Sequence, residues 1–260
     1  MSRIPLLPER SRPLLFAHRG CSSLAPENTW ASYRRARELG APGLELDVHL
    51  CATGELVVAH DDNFHRTAPS APRGNLEDLS WEEIRTVDVG SFFGPGFGGE
   101  RCPLLQDILE EFCPELYVDI ELKTRKTSGD ALPARTAELL RSLGPRVEQA
   151  VTVSSFNPFA LRAFRAACAP APAIPTAIIY CVDPEVPWIL RRGAGRFIAA
   201  CDYAKPRRDQ AGRGAVAALA GREKRPVVPW TVDDPAEAAL LLDRGCEGII
   251  TNCPQHYTGG

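Results

Sequence analysis

The 260-residue chain has no apolar run approaching a bilayer span, no Cys-x-x-Cys pair, no excess of basic charge, no internal repeat and no low-complexity tail. Without about 20 consecutive apolar residues, stable insertion into a membrane is excluded. A formal net charge of −3, with Lys and Arg spread along the chain, argues against a nucleic-acid surface and leaves room only for a local phosphate-binding patch. The nine cysteines are odd in number and scattered, so they read as small hydrophobes in a reducing compartment, not as a disulfide framework or a zinc site. Residues 1–13 carry basic side chains, but Pro5 and Pro8 break their apolar patches; no secretory signal is formed, and a cytoplasmic protein is expected. Nothing specifies an oligomeric state. What is present is ordinary for a globular enzyme: 44% apolar and 24% charged residues, in a length suited to one α/β barrel domain spanning 1–260.

Strand-like and helix-like segments alternate along the chain. Eight strands are predicted near 14–18, 43–48, 116–122, 150–154, 174–180, 197–201, 226–231 and 247–251, with 56–59 extending the second. A helix is predicted to open at Pro26-Glu27-Asn28 and close at Gly40. Asn157-Pro158, Asp183-Pro184 and Asp234-Pro235 each place an N-cap before Pro at a first helical position. Residues 61–103 interrupt this rhythm with Pro and Gly; one short helix from Trp81, with Ser80 and Glu83 at capping-box spacing, lies inside what reads as an insertion on a strand-to-helix loop. Alternation throughout implies parallel strands and right-handed crossovers. Eight strands suggest a closed barrel, with a doubly wound open sheet as the alternative that counting alone leaves.

Within Gly43-Leu44-Glu45-Leu46-Asp47-Val48, Leu44, Leu46 and Val48 share one face and Glu45 and Asp47 the other. The third strand repeats the pattern: Val118, Ile120 and Leu122 oppose Asp119, Glu121 and Lys123. Like charges this close on an inner face repel and lose hydration unless a cation or donor lies between them. Glu45, Asp47 and Glu121 thus form an oxygen-rich pocket suited to a hard cation such as Mg2+ or Ca2+. The competing reading is a buried salt-bridge network with Arg19 and Lys123. His18 and His60, at strand ends beside these acids, are the natural proton-transfer pair. His49 shares the acids' parity and competes with them; His65 and His256 lie farther out. Arg19 and Lys123 suit an anionic substrate, and Trp230, ending the seventh strand, is placed with them on the substrate side.

These residues fall in a familiar order. Ala17-His18-Arg19-Gly20, Pro26-Glu27-Asn28-Thr29, Glu45-Leu46-Asp47-Val48, Val58-Ala59-His60-Asp61, Arg66-Thr67, Glu121-Leu122-Lys123, Ser155-Phe156, Trp230-Thr231-Val232-Asp233 and the closing Gly248-Ile249-Ile250-Thr251-Asn252-Cys253-Pro254 resemble the glycerophosphodiester phosphodiesterase family. The resemblance implies a TIM (β/α)8 barrel with a small insertion after the second strand. It implies one divalent cation on Glu45, Asp47 and Glu121, His18 and His60 as acid and base, and Arg19 and Lys123 at the phosphate. The substrate implied is a small glycerophosphodiester, cleaved to glycerol 3-phosphate and an alcohol. One position departs from the pattern: Asn252 stands where Asp is usual, and no role is carried onto it. The rival readings are a lysophospholipase D-type or phospholipase-like lyase, whose apolar mouth Phe92, Phe93, Phe97 and Phe156 would supply, and a non-catalytic phosphate-binding barrel.

Overall fold

A computed structural model describes residues 6–170 and 174–258; the two ends of the expected 1–260 domain, including the start of the stretch read for a secretory signal, lie outside the described residues. In chain order the strands are β1 (Leu14–His18), β2 (Gly43–Leu50), β3 (Leu56–Val58), β4 (Tyr117–Leu122), β5 (Val151–Ser155), β6 (Thr176–Tyr180), β7 (Tyr203–Pro206) and β8 (Gly248–Thr251). The helices are α1 (Trp30–Glu38), α2 (Trp81–Ile84), α3 (Leu105–Phe112), α4 (Leu132–Leu143), α5 (Pro145–Glu148), α6 (Pro158–Cys168), α7 (Gly195–Ile198), α8 (Arg213–Val216) and α9 (Pro235–Asp243).

The sheet runs β7-β6-β5-β4-β2-β1-β8, parallel along this path, with β3 folded back antiparallel on the far end of β2. The gap between β7 and β8 is filled by residues 226–232. On one side Val228 N donates to Ala204 O (2.9 Å) and Trp230 N to Pro206 O (3.1 Å); on the other Glu247 N donates to Val227 O (2.8 Å) and Val232 N to Ile250 O (2.8 Å). Bonded to both neighbours, this segment closes the ring, and the expected (β/α)8 barrel is what forms. Its eighth member stays irregular because Pro226 and Pro229 have no N–H to give to a ladder.

The strand predicted at 197–201 does not form. Phe197 and Ile198 belong to α7, and the strand that occupies this place in the barrel is β7, beginning at Tyr203. Tyr203 and Lys205 point inward, toward Asp119; a charged residue before a proline carries no outward sign of a barrel strand. The helix predicted at Asp183-Pro184 is likewise absent, and turns fill the stretch up to α7. The first helix begins at Trp30 instead of Pro26, capped by Thr29 in a reciprocal box with Ser32. Asn157 and Asp234 do cap α6 and α9, each accepting a backbone N–H two residues on.

Outward-facing Leu44, Leu46, Val118 and Ile120 pack beneath Ile108, Phe112, Leu161 and Phe164 from the helices, forming the main core. Residues of the insertion, among them Phe64, Leu76, Ile84 and Val89, form a second buried cluster that shares Val57 of β3. Inside the barrel, Phe16, Tyr117, Ala177, Tyr203, Val228 and Ile250 make an apolar floor, with Leu6 and Leu7 against it. One pleat further along β1, β2, β4 and β7 the inward positions turn polar, with His18, Glu45, Asp119 and Lys205, so the barrel is apolar at its amino-terminal end and charged at its carboxyl-terminal end. Gly43 belongs to that floor: a Cβ there would lie 1.9 Å from the Tyr117 ring. Gly43→Ala should therefore cost about 1–3 kcal/mol through overpacking, read as a lower urea midpoint with an unchanged slope.

Candidate functional site

The carboxyl-terminal ends of β1, β2 and β4 bring six of the predicted residues together. The register pairs His18 with Glu45 and Asp47 with Glu121; Glu45 starts one pleat below that pair, level with Asp119, and its carboxyl still reaches the other two. Their oxygens lie within 4.8 Å of one another, and all three residues are buried. Beyond β1 the chain turns back sharply. Arg19 and Gly20 are both left-handed (φ +56° and +83°), the first at some conformational cost. That turn aims the Arg19 N–H at Glu45, whose backbone oxygen accepts it at 2.9 Å, with Oε2 3.2 Å away.

The cations are shared unequally. Lys123 Nζ is 3.0 Å from Glu121 Oε1 and 3.4 Å from Asp47 Oδ1, and Arg19 Nε is 3.3 Å from Asp47 Oδ2. Asn28 Nδ2 donates to the same Asp47 oxygen at 2.9 Å, steadied by Tyr33 Oη on its own Oδ1. Burial works against ionised Asp47, but Lys123 and Arg19 overcome it and hold this carboxyl below the usual range. Burial also opposes the Lys123 charge, and Glu121 and Asp47 reverse that, raising it. Glu45 is different. Among the described residues no Lys or Arg side chain pairs with it, and burial, then Asp47, pushes its carboxyl well above the ordinary value. The salt-bridge reading thus accounts for Asp47 and Glu121 and leaves Glu45 uncompensated.

Three carboxylates, one lacking a counter-charge, fit a hard divalent cation: the donors are all oxygen, and their span suits metal–oxygen bonds of about 2.0–2.6 Å. Glu45, Asp47 and Glu121 are the residues that would hold it.

His18 and His60 flank this cluster with contrasting partners. His18 Nδ1 lies 2.6 Å from Asn252 Oδ1, and its Nε2 is 3.9 Å from Glu45 Oε2. Burial, then Arg19, lowers its pKa to about 3, so the ring is neutral. His60 Nδ1 instead faces a carboxylate, Asp61 Oδ1, at 2.7 Å. Asp61 is in turn bonded by Arg66 Nε (2.8 Å), and Arg66 forks onto Glu27 at 2.8 and 2.7 Å. Glu27 also holds Arg19 (2.9 Å). His60, Asp61, Arg66, Glu27, Arg19 and Asp47 thus form a continuous chain of polar contacts around the rim, joining the insertion to the barrel. His49 turns away from the acids; its Nε2 lies 3.3 Å from the carbonyl of His60. Trp230 uses its indole N–H on Lys205 O (2.9 Å) and stacks edge-on to Phe156, with centroids 5.6 Å apart.

Several participants carry no role in the sequence reading. Asn252 is one; Glu27, Asp61 and Arg66 are others, although their motifs were visible. Lys205 is the least expected. Fully buried below the acids, it reaches Asp119 Oδ2 at 2.8 Å and Ser154 Oγ at 3.0 Å. Asp119 shares the parity of Glu121 but is one pleat lower, and this pair keeps it out of the upper cluster.

Residues 18–256 match the glycerophosphoryl diester phosphodiesterase family. A glycerophosphodiester phosphodiesterase of Caldanaerobacter subterraneus subsp. tengcongensis is 34% identical over 249 residues, covering 94% of this chain and 96% of its own. An Oleispira antarctica phosphodiesterase solved with the product sn-glycerol-3-phosphate superposes with a TM-score of 0.80 at 26% identity, covering 94% of each chain. A glycerophosphodiester phosphodiesterase from Agrobacterium tumefaciens gives 0.75 at 25% identity, covering 95% of this chain and 99% of its own.

The rim chain has a measurable consequence. Glu27 and Asp61 both have lowered pKa values, each held mainly by hydrogen bonds from Arg66 or His60 against the cost of burial. A depressed folded-state carboxyl stabilises fully above its unfolded pKa, near 4, and the contribution disappears as pH falls through the folded value. Arg66→Leu should lower stability at pH 7 by about 1 kcal/mol, the half-exposed guanidinium being partly screened. The gap from wild type should narrow as pH falls below 4, read from urea midpoints across pH.

Proposed function

This chain belongs to the glycerophosphoryl diester phosphodiesterase family and is a phosphoric diester hydrolase, and we propose that it cleaves glycerophosphodiesters to glycerol 3-phosphate and an alcohol with one divalent cation, Mg2+ or Ca2+. The observation that carries the reading is Glu45, which among the described residues has no Lys or Arg paired to it, clustered with two cation-paired carboxylates and beside His18. A cation bound to Glu45, Asp47 and Glu121 would supply Lewis-acid stabilisation of charge on the phosphoryl oxygens. Arg19 and Lys123 stand beside those acids as the side chains for the substrate's own negative charge, the one by a planar fork and the other as a point charge. His18 and His60 act as the acid–base pair: one imidazole takes the proton of the attacking hydroxyl and the other protonates the leaving alcohol. Trp230 and Phe156 form an aromatic wall on the substrate side. The nine unpaired thiols support a reducing compartment, and we place the protein in the cytoplasm. No helix among the described residues is long and apolar enough to cross a membrane.

One observation favours a second substrate reading. Phe92 and Phe93 on the insertion are 40% and 38% exposed and stack edge-on with each other, Phe93 also with Phe97, an apolar surface that a lipid phosphodiester would use. Hydrolysis of detergent-dispersed lysolipid faster than of soluble diester would establish it.

Two experiments test the main reading. His18→Gln and His60→Gln should each reduce kcat by roughly 10²–10⁴ while Mg2+ still raises the melting temperature; near-normal turnover in either removes the acid–base assignment. At 100 times its Kd the cation should stabilise the wild type by about 2.7 kcal/mol. Glu45→Gln should abolish that gain, and a wild-type melting temperature indifferent to saturating Mg2+ and Ca2+ would remove the cation from the site.

A further inference from the structure

We propose that Asn252, clamped by Asp233, is a positioning residue that fixes His18 as its Nδ1–H tautomer and so leaves Nε2 as the nitrogen that takes a proton. Asp233 grips Asn252 at two points. The Asn252 backbone N–H donates to Asp233 Oδ1 at 2.7 Å, and Nδ2 donates to Oδ2 at 2.8 Å. Thr251 Oγ1 adds a third donor to Oδ1 at 3.0 Å. A carboxylate that receives three donors cannot also face an amide oxygen at 2.8 Å, so the amide of Asn252 has one orientation. Its Oδ1 points the other way, toward Ser22 Oγ at 3.0 Å and His18 Nδ1 at 2.6 Å.

An amide oxygen has no proton to give. A ring nitrogen 2.6 Å from it must be the donor, because two lone pairs at that distance repel. His18 therefore carries a proton on Nδ1, and in the neutral ring the bare nitrogen is Nε2, which lies 3.9 Å from Glu45 Oε2. His60 has a different support: its Nδ1 faces the Asp61 carboxylate. A neutral amide on one imidazole and an anion on the other divide the labour. As the attacking oxygen bonds to phosphorus, its proton passes to His18 Nε2. As the bond from phosphorus to the leaving oxygen breaks, that oxygen takes the proton of His60. Asn252 touches neither reacting atom and acts only through His18.

The proposal rests on the acid–base reading above only for its kinetic part. The tautomer is read without turnover, by 15N NMR of histidine-labelled protein at neutral pH with Mg2+ present, the His18 signals being those lost in His18→Gln. The expected result is a protonated Nδ1 and an unprotonated Nε2 in the wild type, and a shift toward Nε2–H in Asn252→Leu. In that variant kcat should fall roughly 10- to 100-fold, in line with other partners that orient a functional histidine, with little change in KM. Asn252→Asp keeps an acceptor for Nδ1–H but turns the donor to Asp233 into a second carboxyl oxygen, so one of the two carboxyls must take a proton; the Nδ1–H form of His18 should persist. A wild-type His18 protonated at Nε2 overturns the proposal whatever the variants do, and so does an Asn252→Leu protein that keeps the Nδ1–H form. If no diester is hydrolysed by the wild type, the function fails and the tautomer assignment still stands or falls on its spectrum.

Discussion

Three carboxylates share a small volume at the mouth of this barrel, and their mutual repulsion is the constraint around which the rest of the structure is arranged. Repulsion in a low-dielectric interior is costly unless each charge finds a partner. Two do: Asp47 lies between Lys123 and Arg19, and Glu121 rests on Lys123. Glu45 has a backbone N–H and a neutral imidazole in its place. The protein thus leaves Glu45, near the start of β2, as the carboxyl without a Lys or Arg paired to it among the described residues, and this is where the proposed cation would enter.

The barrel tolerates this because polarity is layered along its axis. Aromatic and aliphatic side chains fill the floor, Lys205 and Asp119 neutralise each other in the middle, and the acids occupy the open end. Each layer comes from the same strands one pleat apart, so the parity that sends Leu44 and Leu46 under the helices sends Glu45 and Asp47 to the centre. Around the rim, Arg66 fastens the insertion to Glu27 and Arg19 and holds Asp61 against His60. The insertion thereby enters the site through electrostatics, although its apolar cluster is separate from the main core.

Much of this was legible in the chain. Alternating parity in β2 and β4 exposed the acids, because a strand's side-chain period of two is independent of tertiary context. The polar residues ending successive strands gave the active face, and the N-caps Asn157 and Asp234 gave the starts of two helices. Other local signals failed. The apolar run near 197–201 became a turn of helix, while Lys205 and Pro206, unpromising as strand residues, entered the barrel. The segment at 226–232 was rightly placed between its neighbours, but its prolines prevented a regular ladder. Asp183-Pro184 carried the same cap signal as two real helices and opened none, since a cap helps a helix that packing already favours and does not create one.

The sequence by itself therefore determined the class of fold and singled out the acids, imidazoles and cations of the candidate site, all of which follow from periodicity and residue chemistry. Only the tertiary structure decided how charge is distributed among them. Which carboxylate goes unpaired, that His18 rests on an amide, and that Lys205 meets Asp119 across the barrel depend on contacts between residues tens to hundreds of positions apart. Such contacts are set by strand register and ring closure, and no local pattern encodes them. Asn252 shows the difference most plainly: in the chain it is a small polar residue after the last strand, and in the fold its oxygen lies 2.6 Å from His18.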